Sequence, residues 1–369
     1  MTRKRSLVAA LVIALLAGAC GRVAAAAPRP TEPEPLLAYY YLWYDQTSWR
    51  RAKTDYPLLG RYSSDNVRVL RTHVREAKRA GISGFIVSWK STKTLDRRLG
   101  KLVAVARSEN FKLAIIYQGL NFERNPLPAR RVAHDLRWFA GRYAHDPVFD
   151  VFGKPLVVWS GTWKFSAGAV AAVTSSVRPS LLVLASEKNL NGYRRLAGAV
   201  DGDAYYWSSV DPYRDRGYQS KLDSMAQAVH GGQGLWIAPA APGFDARLVG
   251  GTRVVPRADG ATLRRELDAA VQSSPDAIGL ISWNEFSENS HVEPSVRYGR
   301  SYVRVLRDIW GTHFSAKSDL DSSDAGSGIG YGVPILTGLL GVVFATLLVA
   351  FTRRHIRRGE TGSPNRREA

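Results

Sequence analysis

Between residues 34 and 313 the sequence alternates eight times between short apolar runs and longer stretches of helical periodicity. Strand–helix alternation of that kind implies a parallel sheet, and eight units in about 280 residues match a closed (β/α)8 barrel, the TIM barrel. The first run is Leu37–Tyr44. Ser63-Ser64-Asp65 then reads as the cap of a helix reaching Ala80, with Val67, Leu70, Val74 and Ala77 at helical spacing. Gly81 closes it before the second strand, Ile82–Trp89. A helix near Leu95–Ser108 leads to strand Lys112–Tyr117, and a helix over Ala129–Tyr143 leads to strand Pro155–Trp159. The remaining strands are Ser180–Ala185, Ala204–Trp207, Gly234–Ala238 and Ala277–Trp283, with helices at Asp223–Val229 and Ala261–Gln272 between the last three. A doubly wound open sheet is the alternative, but no Gly-x-Gly-x-x-Gly follows the first strand.

Chemistry in such barrels sits at the C-terminal ends of the strands. There the sequence offers Tyr41, Trp43 and Tyr44, then Ser88, Trp89 and Lys90, then Tyr117 and Gln118, then Trp159 and Ser160. Glu187, Tyr206 and Trp207 follow, and finally Asn284, Glu285 and Glu288. Aromatic faces stack on the apolar faces of sugar rings while amides, hydroxyls and carboxylates bond sugar hydroxyls, so this set suits an oligosaccharide better than a nucleotide. Core packing accounts for any single ring, and is the better reading of Tyr39, Tyr40 and Trp138. It does not require rings at successive strand ends.

The segment Ile281–Pro294 carries three carboxylates within nine residues, Glu285, Glu288 and Glu293. A helical turn after the strand would set Glu285 and Glu288 on one face, about 5–6 Å apart at Cβ. Carboxylates that close perturb each other's pKa and can divide acid and base roles. Glycoside hydrolysis is the commonest chemistry built on such a pair, and about 5–5.5 Å between carboxyl groups suits retention of configuration. Read alone, Glu-x-x-Glu equally well opens a solvated helix.

The two ends describe a topology. Thr2-Arg3-Lys4-Arg5 precedes the apolar run Leu7–Ala19, the layout of a signal peptide within residues 1–27. The lone cysteine, Cys20, follows an imperfect lipobox, so lipidation there competes with ordinary cleavage within Val23–Ala27. With one cysteine no internal disulfide can form. Residues 314–328, rich in Ser, Asp and Gly, read as a flexible stalk. Residues 329–352 contain no charge and are long enough to span a bilayer, and Arg353, Arg354, Arg357 and Arg358 follow in a basic tail, 353–369. The expected arrangement is a single-pass cell-membrane protein with its body outside and its tail in the cytoplasm. Of the formal +19, the first 30 residues hold +5 and the tail +4, leaving +10 on the rest. Those charges are scattered, which argues against nucleic acid and leaves mostly a solvated surface that could favour anionic envelope polymers. The seven histidines show no metal-binding spacing, and no Gly-x-Ser-x-Gly is present. His291 reads as structural or as a subsite contact.

Ordered motifs over most of the body resemble glycoside hydrolase family 99, the endo-α-mannosidase-like family. Ala38-Tyr39-Tyr40-Tyr41-Leu42-Trp43-Tyr44 and Gly81–Trp89 are similar to its first two strands. Pro242-Gly243-Phe244-Asp245, with Thr252-Arg253 and Gly260 downstream, is similar to its loop after strand seven. Trp283–Glu288, followed by Val292-Glu293-Pro294 and Tyr298-Gly299, is similar to its catalytic segment. The resemblance implies a retaining endo-glycosidase with Glu285 as base and Glu288 as general acid, working through a 1,2-anhydro sugar without metal or organic cofactor. It also implies that Asn284 and Phe244 position the reacting sugar, with Glu293 beside them and the aromatic strand ends forming subsites. The substrate would be an oligosaccharide or envelope polysaccharide, with α-mannosidic linkages first, and the protein a monomer. Three departures stand out. Tyr117-Gln118-Gly119 replaces a carboxylate after strand three, Trp159-Ser160 replaces Tyr-Asp after strand four, and Phe286-Ser287 and Asn289 replace Trp, His or Gly. The competing reading is a catalytically silent glycan-binding surface protein on the same barrel; a scaffold that only displays loops comes third.

Overall fold

The computed structural model describes residues 34–309. Eight parallel strands close into a barrel in chain order. They are β1 Leu36–Tyr41, β2 Gly84–Trp89, β3 Lys112–Gln118, β4 Leu156–Ser160, β5 Leu182–Ala185, β6 Gly202–Ala204, β7 Leu235–Ala240 and β8 Ala277–Leu280. A helix follows each: α1 Val67–Arg79, α2 Lys93–Ser108, α3 Ala129–Tyr143, α4 Ala167–Ser175, α5 Leu190–Leu196, α6 Tyr218–Gly231, α7 Ala261–Gln272 and α8 over 301–309. Pairing of Leu36 with Ile278 across β1 and β8 completes the ring. The (β/α)8 barrel expected from the alternation is the fold.

Some boundaries differ. The sequence reading located neither α4 nor α5: α4 is Ala-rich with no polar face, and α5 is only seven residues long. β6 stops at Ala204 and β8 at Leu280, so the expected strand tips Trp207 and Trp283 belong to loops. The cap of α1 is Asn66, whose side chain accepts from the Arg68 amide at 3.0 Å, rather than Ser63-Ser64-Asp65. Asp65 instead binds Arg97, Arg98 and Lys101 of α2.

Successive strand residues point to opposite faces, and in this barrel one face is the interior and the other packs on helices. Leu37, Tyr39, Ile86, Ala114, Ile116, Val158 and Leu184 fill the interior. Leu36, Tyr40, Phe85, Val87, Leu113, Ile115 and Val157 lie in the helix-facing layer with Leu70, Leu102 and Leu136. Each such Leu or Ile contributes about 1.5–3 kcal/mol by leaving water. The expected signal peptide, Cys20, stalk, membrane span and basic tail lie outside the described residues, as do the last residues of the 34–313 body. Among the described residues no helix is long and apolar enough to cross a membrane.

Candidate active site

The C-terminal ends of the strands surround a cavity of about 410 Å³. Its walls are built by Tyr41 at the end of β1 and Trp43 after it, Gln118 at the end of β3 and Arg124 after it, Ser160 at the end of β4 and Trp163 after it, and Glu187 and Lys188 after β5. Tyr206 and Trp207 after β6, Phe244 after β7, and Glu285 and Glu288 after β8 complete it. Of the residues expected to serve the site, Tyr41, Trp43, Gln118, Tyr206, Trp207, Phe244, Glu285 and Glu288 therefore come together.

Trp89, Tyr117 and Trp159 do not reach the cavity, and strand parity is the reason. Each occupies an outward position and is fully buried against helices. Trp89 Nε1 donates to Asp96 of α2 at 2.9 Å, Tyr117 Oη donates to Asp135 of α3 at 3.0 Å, and Trp159 packs against Phe165 at 4.8 Å between centroids. Their neighbours Ser88, Gln118 and Ser160 take the inward positions, and Gln118 Nε2 donates to Ser88 Oγ at 3.1 Å. Counting aromatics at strand ends without counting parity overstated the aromatic lining.

Tyr44, Asn284 and Glu293 form the floor beneath the cavity rather than its wall. Asn284 brackets the end of β1, accepting from the Tyr41 amide at 2.8 Å and donating to the Tyr41 carbonyl at 3.1 Å. Tyr44 Oη donates to the Asn284 carbonyl, and the Asn284 amide donates to Tyr62 Oη at 3.3 Å. Tyr62 in turn donates to Glu293 at 2.8 Å, Glu293 meets His73 of α1 at 3.1 Å, and His73 meets Tyr40 at 2.8 Å. Every member of this chain is buried. Tyr62 and His73 escaped the sequence reading because their partner Glu293 lies more than 200 residues away along the chain.

The segment after β8 is not helical. Residues 286–289 make a turn, so Glu285 at its entry and Glu288 within it are presented by a turn and not by a helix face. The Glu285 amide donates to Ser282 Oγ at 2.8 Å, and the Ser287 amide donates to the Glu285 carboxylate at 3.0 Å. The Glu288 carbonyl accepts from the Asp245 amide at 2.7 Å, tying the turn to a short hairpin, Phe244–Asp245 with Val254–Val255, after β7. Gly243 enters that hairpin at φ 144°, and a Cβ there would stand 2.6 Å from Arg257 Cγ and 2.9 Å from the Val255 carbonyl. No other residue fits both the backbone and the space, which sets Phe244 in the cavity wall.

Electrostatics separate the two carboxyls. Burial pushes Glu285 above the usual carboxylate range, opposed by the Ser287 amide and the charge of Lys53. Burial and then the charge of Glu285 push Glu288 up to about 8. At neutral pH Glu288 holds its proton, and Glu285, stabilised by Ser287 and Lys53, is the one that ionises. Tyr41 and Tyr206 share a 2.6 Å hydrogen bond beside the pair, and Trp43, 42% exposed, stacks on Tyr41 at 4.2 Å between centroids. His291 lies in the floor, stacked on Phe286 at 4.1 Å and held neutral, its pKa pushed down to about 4 by burial and then by Arg257. Arg124 and Lys188 come from irregular loops and Trp163 from a three-residue 3-10 turn, where no periodicity marks a residue as inward-facing.

Comparison with known proteins agrees with this fold. The family model described as Glycosyl hydrolase family 99 matches residues 48–307. The solved endo-alpha-mannosidase of that family from Bacteroides thetaiotaomicron superposes with a TM-score of 0.68 at 18% identity, covering 78% of this chain and 100% of its own. Its complex with bis-tris propane gives the same score at 20% identity. A "glycoside hydrolase-like protein" covers 76% of this chain and 95% of its own at a TM-score of 0.57 and 18% identity. The likeness to these structures is one of fold. Curated proteins yield no match. The family model spans most of the barrel and the whole turn that carries Glu285 and Glu288, and the chain accordingly belongs to glycosyl hydrolase family 99 and is a glycoside hydrolase.

Proposed function

We propose that this chain is a retaining, endo-acting glycosidase that cleaves α-mannosidic or similar α-linked glycans, with Glu285 as base and Glu288 as general acid. The observation that carries the reading is the pair itself: two carboxyls in one cavity, one protonated near neutral pH and one able to ionise. In the first step Glu285 takes the proton of the substrate's 2-hydroxyl, O2 attacks C1, and Glu288 protonates the departing glycosidic oxygen. The 1,2-anhydro sugar that results is opened by water. Glu288, now a carboxylate, removes a proton from the water as it attacks C1, and Glu285 returns its proton to O2. Net configuration at C1 is retained. Trp43 and Phe244 would stack on the sugar faces, and the Tyr41–Tyr206 hydroxyl pair would donate to ring hydroxyls.

The endo mode is supported by the Bacteroides thetaiotaomicron relative, which is an endo-alpha-mannosidase. The proposed setting is extracellular, with the body tethered by residues 329–352 and the tail in the cytoplasm. The test is incubation of the protein with α-linked manno- and gluco-oligosaccharides, with products followed by mass spectrometry and anomer-resolved NMR. Internal cleavage with retained configuration is expected. Binding without cleavage would instead make the protein a surface glycan-binding module.

A pH dependence follows from the same assignment. The acid must be protonated, so kcat/KM should fall as pH rises through about 8, the value to which Glu288 is pushed. The acid-side limb reports Glu285 and should lie above the ordinary carboxylate range. A profile that stays flat from pH 7 to 10 would remove Glu288 from the acid role.

A further inference from the structure

One wall of the cavity carries cations that nothing in the proposed reaction uses. Arg124 comes from the loop after β3 and Lys188 from the loop after β5, and both line the cavity. Lys188 is half-buried, with its ammonium 4.6 Å from the centre of the Trp163 ring. Burial, then the charges of Arg124 and Lys164, hold that ammonium below its ordinary pKa. Arg124 and Lys164 are themselves exposed, and Arg124 and Lys188 are the two of the three that line the cavity.

The nearby carboxylates are occupied elsewhere. Glu187 acts on Lys188 but makes its ion pair with Arg195 at 3.3 Å, the charge of Lys53 acts on Glu285, and Glu288 keeps its proton at neutral pH. Among the described residues no carboxylate makes an ion pair with Arg124, Lys188 or Lys164. A neutral sugar needs aromatic faces and hydroxyl partners, not two like charges in the cavity lining. Repulsion within such a pair is relieved by an anion placed between its members, and guanidinium and ammonium groups are the side chains that bind oxyanions most strongly.

We propose that the cavity takes a glycan bearing an oxyanion substituent, a phosphoryl or carboxyl group, seated between Arg124 and Lys188. This rests on the glycosidase reading above and narrows its substrate class. Arg124 lines the same cavity as Glu288, so the charged substituent would share the space that holds the reacting sugar. The basic wall would in addition steer an anionic polymer into the cavity, an effect that weakens with salt.

The test uses the full chain carrying Glu288→Gln, whose amide is as neutral as the protonated acid. It is titrated calorimetrically with three matched α-linked mannotetraoses: neutral, 6-phosphorylated, and capped with a uronic acid. At least one anionic form should bind about ten-fold more tightly than the neutral one, consistent with a charge-assisted contact. The advantage should shrink as salt is raised and vanish when Arg124→Gln and Lys188→Gln are added. The arm that gains tells phosphoryl from carboxyl. Equal or weaker binding of both anionic forms, no binding of any form, or a preference that survives the two added substitutions would overturn the inference. Should the combined variant fail to fold, Arg124→Gln and Lys188→Gln separately carry the same comparison. Wild-type protein given the same three substrates separates the two readings. Cleavage without anion preference retains the glycosidase and removes the anion site, whereas tight anionic binding without cleavage does the reverse.

Discussion

Glu288→Gln and Glu285→Gln should each lower kcat on an α-linked oligosaccharide by about 10²–10⁴-fold, the usual contribution of a positioned general acid or base. The double variant should be little worse than either single one, because residues acting as a unit are not additive. Both proteins should fold, since Gln preserves volume and the Ser287 amide keeps an oxygen to donate to in Glu285→Gln. Glu288→Gln should also change stability with a definite sign. The native carboxyl is pushed up to about 8 while an unfolded one keeps an ordinary value, so the native state binds more protons between these limits. Wild-type stability therefore falls as pH rises through that window, and the variant escapes this loss. Thermal unfolding should show Glu288→Gln a few degrees more stable than wild type at pH 8, with the gap closing as pH falls toward 5. Turnover retained in both single variants would sink the acid–base assignment.

The second large effect lies in the floor of the site. Glu293→Ala should destabilise the protein by about 3–5 kcal/mol, the usual cost of removing one partner from a buried pair. It would strip acceptors from Tyr62 and His73 in a region without water access. At this size of domain that corresponds to a fall in Tm of about 10 °C. Glu293→Gln should lose less, because one oxygen remains for Tyr62. Activity should drop with the Ala variant as well, since Tyr62 steadies Asn284, and Asn284 fixes the end of β1 on which Tyr41 and Trp43 stand. A Tm within about 2 °C of wild type would show that the chain from Tyr40 to Asn284 is not under tension from its buried polar groups.

Much of the fold was legible because its signal is local and repeated. α3 and α7 begin and end where their periodicity does, at Ala129–Tyr143 and Ala261–Gln272. Strands β1 to β4 were recognisable as apolar runs because both of their faces are buried. α4 and α5 were not: an Ala-rich segment and a seven-residue segment show too little amphipathic contrast.

The site divides along the same line. Residue types near strand ends, the Glu-x-x-Glu pair and the Phe244 loop could be read from the sequence, because each is a short motif following a recognisable strand. The direction of each side chain could not, because a run buried on both faces hides the one-residue register that sends Gln118 inward and Tyr117 outward. Tyr62, Arg124 and Lys188 come from segments with no periodicity and His73 from the buried face of α1, and only closure of the barrel brings them to Glu293 and Glu288. The barrel, the family resemblance and the acidic pair were legible along the chain, since these are encoded in neighbouring residues. Tertiary structure decided which carboxyl keeps its proton, which rings line the cavity and where its positive wall stands. Those properties depend on burial and on charges drawn together from distant parts of the chain.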